Sequence, residues 1–312
     1  MPLSEDQRSV CRSQIQPWRD EMVNNPISGT PKVVFAIPLI SKERAHNWDQ
    51  VCTNLSETIE TLRRQTNPNW QAVICCQSEP DGIAFDDQMV FLPFTEPVDG
   101  KDNKQKRQAI ARHCSKVMSC DAYFFVLDAD DYVHPDLVDY MVKTRSPSGY
   151  LIDRGYLFDI SIGKLAPLNL ADRKDIRAQQ GALRLGRIPI RLDHTLRKLT
   201  GRGFRKQTPR LWKMKSFDSS CGSCVAWRYR FDPDHPNPPE IPGFDHRLIR
   251  PANEDGLMQL RHVPFNAVIY VVGHGENLQK VKGRLHLKSR YIEEFKLPEH
   301  ETRQILATFG VG

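Results

Sequence analysis

The residues best suited to do chemistry are Asp128, Asp130 and Asp131, which follow directly on the apolar run Phe124-Phe125-Val126-Leu127. A buried strand that delivers three carboxylates to one point suits a hard divalent cation such as Mg2+ or Mn2+. Such an ion takes oxygen ligands and keeps open positions for the phosphate oxygens of a substrate. An aspartate after a strand is also a common turn former or N-cap, and Asp131 alone could be no more than that. Three crowded carboxylates repel one another, however, and persist only where a cation or basic groups neutralise them. A metal-bound nucleotide is therefore the leading reading.

Two later stretches could complete such a centre. Asn253-Glu254-Asp255 reads as the opening of a helix that continues through Leu257, Leu260 and Arg261, where the acids either complement the helix dipole or point into a cleft. The apolar run 268–272 ends in Gly273-His274-Gly275-Glu276-Asn277. A histidine between glycines has the freedom to reach a metal or a phosphate, although read alone it is a solvent-facing loop residue.

The elements that must hold these residues alternate between strand and helix. Residues 33–37, closed by Pro38, form a short apolar run, and Leu55, Ile59 and Leu62 stand at helical spacing within 54–65. A β-like run over 71–76 follows, then a helix over 103–119 with Ile110, Cys114, Val117 and Met118 on one face, then the strand 123–127. Pro135-Asp136 opens a further helix over 137–143. This alternation predicts an α/β fold with a mainly parallel sheet whose ligands bind at the carboxyl ends of its strands. Beyond it, 221–230 is β-like and carries Trp227, Tyr229 and Phe231 in alternation. Residues 233–242 form a proline-rich loop, and a terminal helix covers 299–309.

At 312 residues, 39% hydrophobic and 26% charged, the chain has the composition of a globular protein with a sizeable core, in one α/β domain or two halves sharing a cleft. No run approaches the roughly 18–20 apolar residues of a membrane span, and the first 20 residues do not resemble a signal peptide, so a cytoplasmic protein is expected. The eight cysteines lack a disulfide framework and read as reduced thiols; Cys221-Gly222-Ser223-Cys224 has zinc-knuckle spacing without a second pair to complete a site. Residues 173–215 hold fourteen Lys or Arg against Asp175 and Asp193, which concentrates the basic excess of the chain in one insertion. It suits an anionic partner such as lipid headgroups, a lipid-linked diphosphate or an acidic glycan, or else is a solvated loop. With only Phe204 and Trp212 to stack on bases, it does not suit nucleic acid.

In their order along the chain these landmarks resemble the family-2-type inverting glycosyltransferases of the GT-A fold, over roughly residues 31–280. Ile37-Pro38, Arg64-Gln65-Thr66-Asn67-Pro68 and Trp70 look like that family's opening unit. Leu127-Asp128-Ala129-Asp130-Asp131 looks like its DXD segment, Glu254-Asp255 like its ED motif and Gly273-His274-Gly275-Glu276-Asn277 like its late histidine loop.

The resemblance implies a Rossmann-like, mixed and mainly parallel sheet flanked by helices, interrupted by the basic insertion 173–215. An N-terminal extension (1–30) would precede a nucleotide-sugar-binding half (31–145), an acceptor-binding half (146–280) and a C-terminal helical segment (281–312). It further implies that Asp128 contacts the ribose or the metal, that Asp130 and His274 ligate Mn2+ or Mg2+, that Asp131 supports the pair and that Asn277 lies nearby. Asp255 would be the general base toward an acceptor hydroxyl, and Glu254 would position the acceptor. Pro38, Lys104 and Arg107 would line the nucleotide, together with Glu79 or Asp81, which stand where the family has paired aspartates.

The expected activity is metal-dependent transfer of a sugar, with inversion, from a nucleotide-diphosphate donor to a saccharide or lipid-linked hydroxyl. The 173–215 segment would touch the inner face of an anionic membrane. Ser220 to Phe244, with its alternating aromatic residues, would recognise the acceptor, although core packing is the better reading of Trp227. The alternatives are a non-catalytic sugar- or anion-binding protein of the same fold and a DXD-type phosphoryl-transfer enzyme. The latter class generally carries its motif on the first strand.

Overall fold

The computed structural model of the chain describes residues 3–98, 100–169, 216–276 and 285–311; the basic insertion 173–215 and Asn277 lie outside them. Its first strands are β1 (Lys32–Pro38), β2 (Trp70–Cys76), β3 (Met89–Pro93), β4 (Cys120–Val126), β5 (Tyr132–Val133) and β6 (Gly149–Leu151). They are followed by β7 (Gly155–Asp159), β8 (Lys164–Pro167), β9 (Val225–Phe231), β10 (Arg261–His262) and β11 (Val268–Val272). The helices are α1 (Glu5–Asn24), α2 (Trp48–Arg63), α3 (Asn103–Val117), α4 (Leu137–Thr144), α5 (Ile249–Glu254), α6 (Leu285–Phe295) and α7 (Glu299–Phe309).

The protein is α/β, built on a seven-stranded, mostly parallel sheet in the order β10-β6-β9-β4-β1-β2-β3. β1, β2 and β4 are apolar and buried along nearly their whole length because helices cover both faces of a parallel sheet. β9 runs antiparallel to both neighbours, so a strand from the second half of the chain closes the gap between β4 and β6. The strand order reverses between β1 and β4, and a crevice forms at such a reversal outside the carboxyl ends. The expected strand–helix alternation is present there, in a Rossmann-like arrangement.

A second, four-stranded sheet runs β5-β11-β7-β8. β11 pairs antiparallel with β5, the strand entered directly from the acidic segment, and parallel with β7. This pairing carries the histidine loop back to the end of β4.

Three expectations are corrected. Residues 1–30 are not merely a polar extension: α1 buries Cys11, Ile15, Trp18 and Met22. Trp18 packs edge-on against Trp227 with ring centroids 5.1 Å apart and donates from Nε1 to the Arg228 carbonyl at 2.7 Å. Glu254-Asp255 ends a helix instead of opening one. Gly256 adopts φ +75°, which stops the helix, and the Asn253 side chain bridges to the backbone N–H and carbonyl of Leu260. Trp227, Tyr229 and Phe231 are all buried at the sheet, so none offers a face to an acceptor sugar. Among the described residues, no helix is long and apolar enough to cross a membrane.

Candidate functional site

The turn after β4 is clamped from one side by α2. The apolar face of this helix holds Leu55, Ile59 and Leu62, but a second stripe at the same period, Asn54, Thr58 and Thr61, continued just past the helix end by Gln65, is also buried and polar. Thr58 Oγ1 donates to the Ala129 carbonyl at 3.0 Å, and Thr61 Oγ1 accepts the Val133 N–H at 3.1 Å. Gln65 donates to the His134 carbonyl and accepts the Val138 N–H. Asn54, one turn earlier, places its Nδ2 2.9 Å from Nδ1 of His274. The helix thereby ties down the acidic segment and the histidine loop together. Sequence reading found only its apolar stripe, although the polar residues recur at the same i, i+4, i+7 spacing.

His274 Nε2 lies 2.7 Å from Asp130 Oδ2, across 144 positions of chain. The imidazole is almost fully buried and the carboxylate partly exposed. Gly273 makes the approach feasible: its φ is +88°, and a Cβ there would run into the Asp159 carboxylate.

Asp128 and Asp131 face the other way, onto the Cys221–Cys224 loop. Ser223 Oγ accepts the Asp128 N–H at 2.9 Å and donates to Asp131 Oδ2 at 2.6 Å. Cys221 Sγ donates to the same oxygen at 3.0 Å, and the Val271 N–H reaches Oδ1 at 3.3 Å. Gly222 lies so close that a Cβ would stand 3.1 Å from Asp128 Oδ2. One ligand atom each from Asp128, Asp131 and Cys221 lie within 4.8 Å of one another, a spacing that could hold a metal ion.

Two facts count against that trio as the centre. Every Asp131 oxygen already has a donor, and burial, with Asp131 and Asp128 next, pushes the Cys221 thiol well above its usual range, so that it stays an S–H donor. Burial, then Asp130 and Asp128, likewise push the Asp131 carboxyl well up. Asp131 thus braces the Cys221–Cys224 loop, while Asp130 and His274 meet each other apart from it. Asp128 joins the first group by contact, which departs from the expected Asp128–Asp130–His274 set.

Basic groups face Asp128. Burial, then Asp130, raise its pKa, and Arg107 and His246 oppose that rise. The Arg107 guanidinium is buried, and its Nε has no hydrogen-bond partner among the described residues. His246 is oriented by a 2.6 Å contact between Nδ1 and the Asp218 carbonyl, and its Nε2 has no hydrogen-bond partner among the described residues. Neither His246 nor the 221–224 loop was singled out from sequence as part of the centre.

The expected nucleotide residues are spread more widely. Pro38 is buried at the carboxyl end of β1, level with Cys75 of β2. Glu79 is exposed, and Asp81 accepts from Trp48 Nε1 at 2.9 Å while pairing with Lys42 at 3.7 Å, which holds the loop after β2 to the start of α2. Lys104 points outward to Glu240 at 3.3 Å. The inward lysine of α3 is instead Lys106, fully buried, donating to the Leu39 carbonyl at 2.6 Å and to Asp102 at 2.9 Å. Gln77 donates to the same Asp102 oxygen at 2.8 Å, so one network joins the carboxyl ends of β1 and β2 to the start of α3.

Glu254 is exposed, with Arg250 3.9 Å away. Asp255 Oδ2 accepts from Nη2 and Nε of Arg8 at 2.8 and 3.3 Å. Among the described residues, no hydrogen bond or ion pair links Asp255 to Asp128, Asp130 or His274, so the structure brings the histidine to the aspartates but leaves Asp255 with α1.

Comparison of the sequence with protein-family models and with curated proteins finds no match.

Proposed function

We propose that the protein is a metal-dependent glycosyltransferase of GT-A type that moves a sugar, with inversion, from a nucleotide-diphosphate donor to a saccharide or lipid-linked hydroxyl. The observation that carries this reading is the 2.7 Å approach of His274 Nε2 to Asp130 Oδ2 beside the strand-order reversal of the larger sheet. That distance is close to the separation of about 3 Å between neighbouring ligands of an octahedral ion with bonds of about 2.1 Å. Two protein ligands and open positions for phosphate oxygens fit Mg2+ or Mn2+.

Asp130 and His274 would hold the ion, with Asp128 close enough to take a bound water or a ribose hydroxyl. When bound, the ion supplies positive charge against the departing diphosphate. Arg107 adds fixed positive charge beside Asp128, and its Nε, without a hydrogen-bond partner among the described residues, is suited to an anionic ligand. The loop holding Glu79 and Asp81 would border the nucleotide. Asp255 remains the candidate base toward the acceptor, provided that Arg8 releases it. The basic insertion 173–215 would meet an anionic acceptor or the inner face of a membrane.

The Arg8–Asp255 pair favours a second reading, a sugar- or anion-binding protein of this fold that needs no base. A panel of nucleotide sugars with Mn2+ tests both. The transferase reading expects donor hydrolysis or transfer that Asp130→Ala and Asp255→Asn each abolish, with donor binding weakened mainly by the first. Binding without turnover, unaffected by Asp255→Asn, would select the second reading. Phosphate release independent of the sugar would support a phosphoryl-transfer enzyme instead.

A further inference from the structure

His274 is held by two different partners, one on each ring nitrogen: Asp130 Oδ2 at Nε2 and Asn54 Nδ2 at Nδ1. The Asn54 Oδ1 in turn accepts from Gln50 Nε2 at 2.9 Å, one helical turn earlier on α2. Gln50, Asn54, His274 and Asp130 therefore form a four-member relay, and Asn54 is buried within it.

The chemistry of the members permits two self-consistent states. An ionised Asp130 only accepts hydrogen bonds, so without a cation Nε2 carries a ring hydrogen, and in a neutral ring Nδ1 is then bare. A bare Nδ1 needs a donor, and Asn54 Nδ2 supplies one. When a cation takes Nε2, the ring hydrogen moves to Nδ1, which then needs an acceptor. A half-turn of the Asn54 amide presents Oδ1 instead, and a matching half-turn of Gln50 keeps the amide–amide hydrogen bond. A primary amide serves both states, whereas a carboxylate at this position serves only the loaded one and an alkyl group serves neither.

We infer that Asn54 is a positioning residue that sets the tautomer of His274, presenting its N–H to Nδ1 in the metal-free protein and its carbonyl when a divalent cation occupies Nε2. The inference rests on the metal reading of Asp130 and His274 for its second half only. It gives the cation an outer partner of the kind that fixes ring orientation and ligand basicity in metal sites.

The test uses the full chain with Mg2+ or Mn2+ alone, read by ring 15N chemical shifts of His274 and by calorimetric titration. The expected metal-free state carries its hydrogen on Nε2, and saturating Mg2+ moves it to Nδ1. Asn54→Asp puts a carboxylate at each ring nitrogen, so its His274 is expected to carry hydrogen on Nδ1 as well as on Nε2 without metal, and the variant to bind Mn2+ at least as tightly as the wild type. Asn54→Leu, with its melting temperature checked in parallel, is expected to bind Mn2+ about 10–100-fold more weakly. A His274 ring protonation unchanged between wild type and Asn54→Asp, or Asn54→Leu binding Mn2+ like the wild type, would overturn the inference. Equal Mn2+ binding by the wild type and Asp130→Asn would instead overturn the metal reading, and the metal-free tautomer still decides the role of Asn54.

Discussion

Arg8 and Asp255 lie 247 positions apart and meet through a 2.8 Å contact between Nη2 and Oδ2, so the first helix of the chain grips the carboxylate expected to act as base. Asp255 cannot accept a proton from a hydroxyl at the oxygen that Arg8 occupies. Under the proposed activity, Asp255→Asn lowers kcat by about 10²–10⁴-fold. Arg8→Ala leaves kcat at least at the wild-type level, since it frees the same oxygen. Steady-state rates of the two variants check this, and a lowered melting temperature with unchanged turnover in both would assign the pair to anchoring α1.

The Lys106–Asp102 pair is buried on both sides. Burial works against the Asp102 carboxylate, but Gln77 and Lys106 outweigh it and hold its pKa below the ordinary value of 3.8. A carboxylate depressed in the folded state adds stability that is present above its unfolded pKa and lost as pH falls through the folded one. Denaturant unfolding of the wild type and Asp102→Asn should therefore differ at neutral pH and converge as pH drops below about 3.8. Lys106→Met, which strands a buried carboxylate, is expected to cost about 3–5 kcal/mol at pH 7.

Gly273→Ala tests the backbone that carries the imidazole. The added Cβ meets the Asp159 carboxylate, itself engaged by the N–H and hydroxyl of Ser161, and the φ of +88° is unfavourable to any L side chain. Expected effects are a destabilisation of about 1–3 kcal/mol and a displaced His274. Thermal unfolding reads the first and Mn2+ affinity the second.

Much of the larger sheet could be read from the sequence because parallel strands buried on both faces are short apolar runs separated by helical periodicity. β1, β2, β4 and β11 lie where those runs predict them, and α7 occupies Glu299–Phe309 as expected. α1 was missed because Cys11, Ile15, Trp18 and Met22 are thinly spread among charged residues, yet they form one buried stripe at helical spacing. β6, β7 and β8 are too short to show a period of their own. At the site, the resemblance implied that Asp130 and His274 would share one ion, and the structure places them 2.7 Å apart. Asn54, Arg107's isolation and the role of the 221–224 loop depend on which chain segments lie opposite one another, and no local pattern encodes that.

Trp18→Ala measures how firmly α1 is joined to the sheet. The side chain is 1% exposed, packs edge-on against Trp227 and bonds the β9 backbone. Its removal is expected to cost about 3–5 kcal/mol in equilibrium unfolding. Because the same helix bears Arg8, the variant should also release Asp255, visible as faster proteolysis near the start of the chain.

The ring of His274 enters the structure on β11, whose two neighbours, β5 and β7, are complete long before it. During synthesis the Asp130 carboxylate is made 144 residues ahead of its partner, a delay of roughly 7–30 s at about 5–20 residues per second. Until that strand slots between its neighbours, the emerging chain holds its acidic turn without the imidazole. Any capacity to bind a cation between these two side chains therefore arises only once β11 has been made, and a nascent chain stalled before it would lack the imidazole.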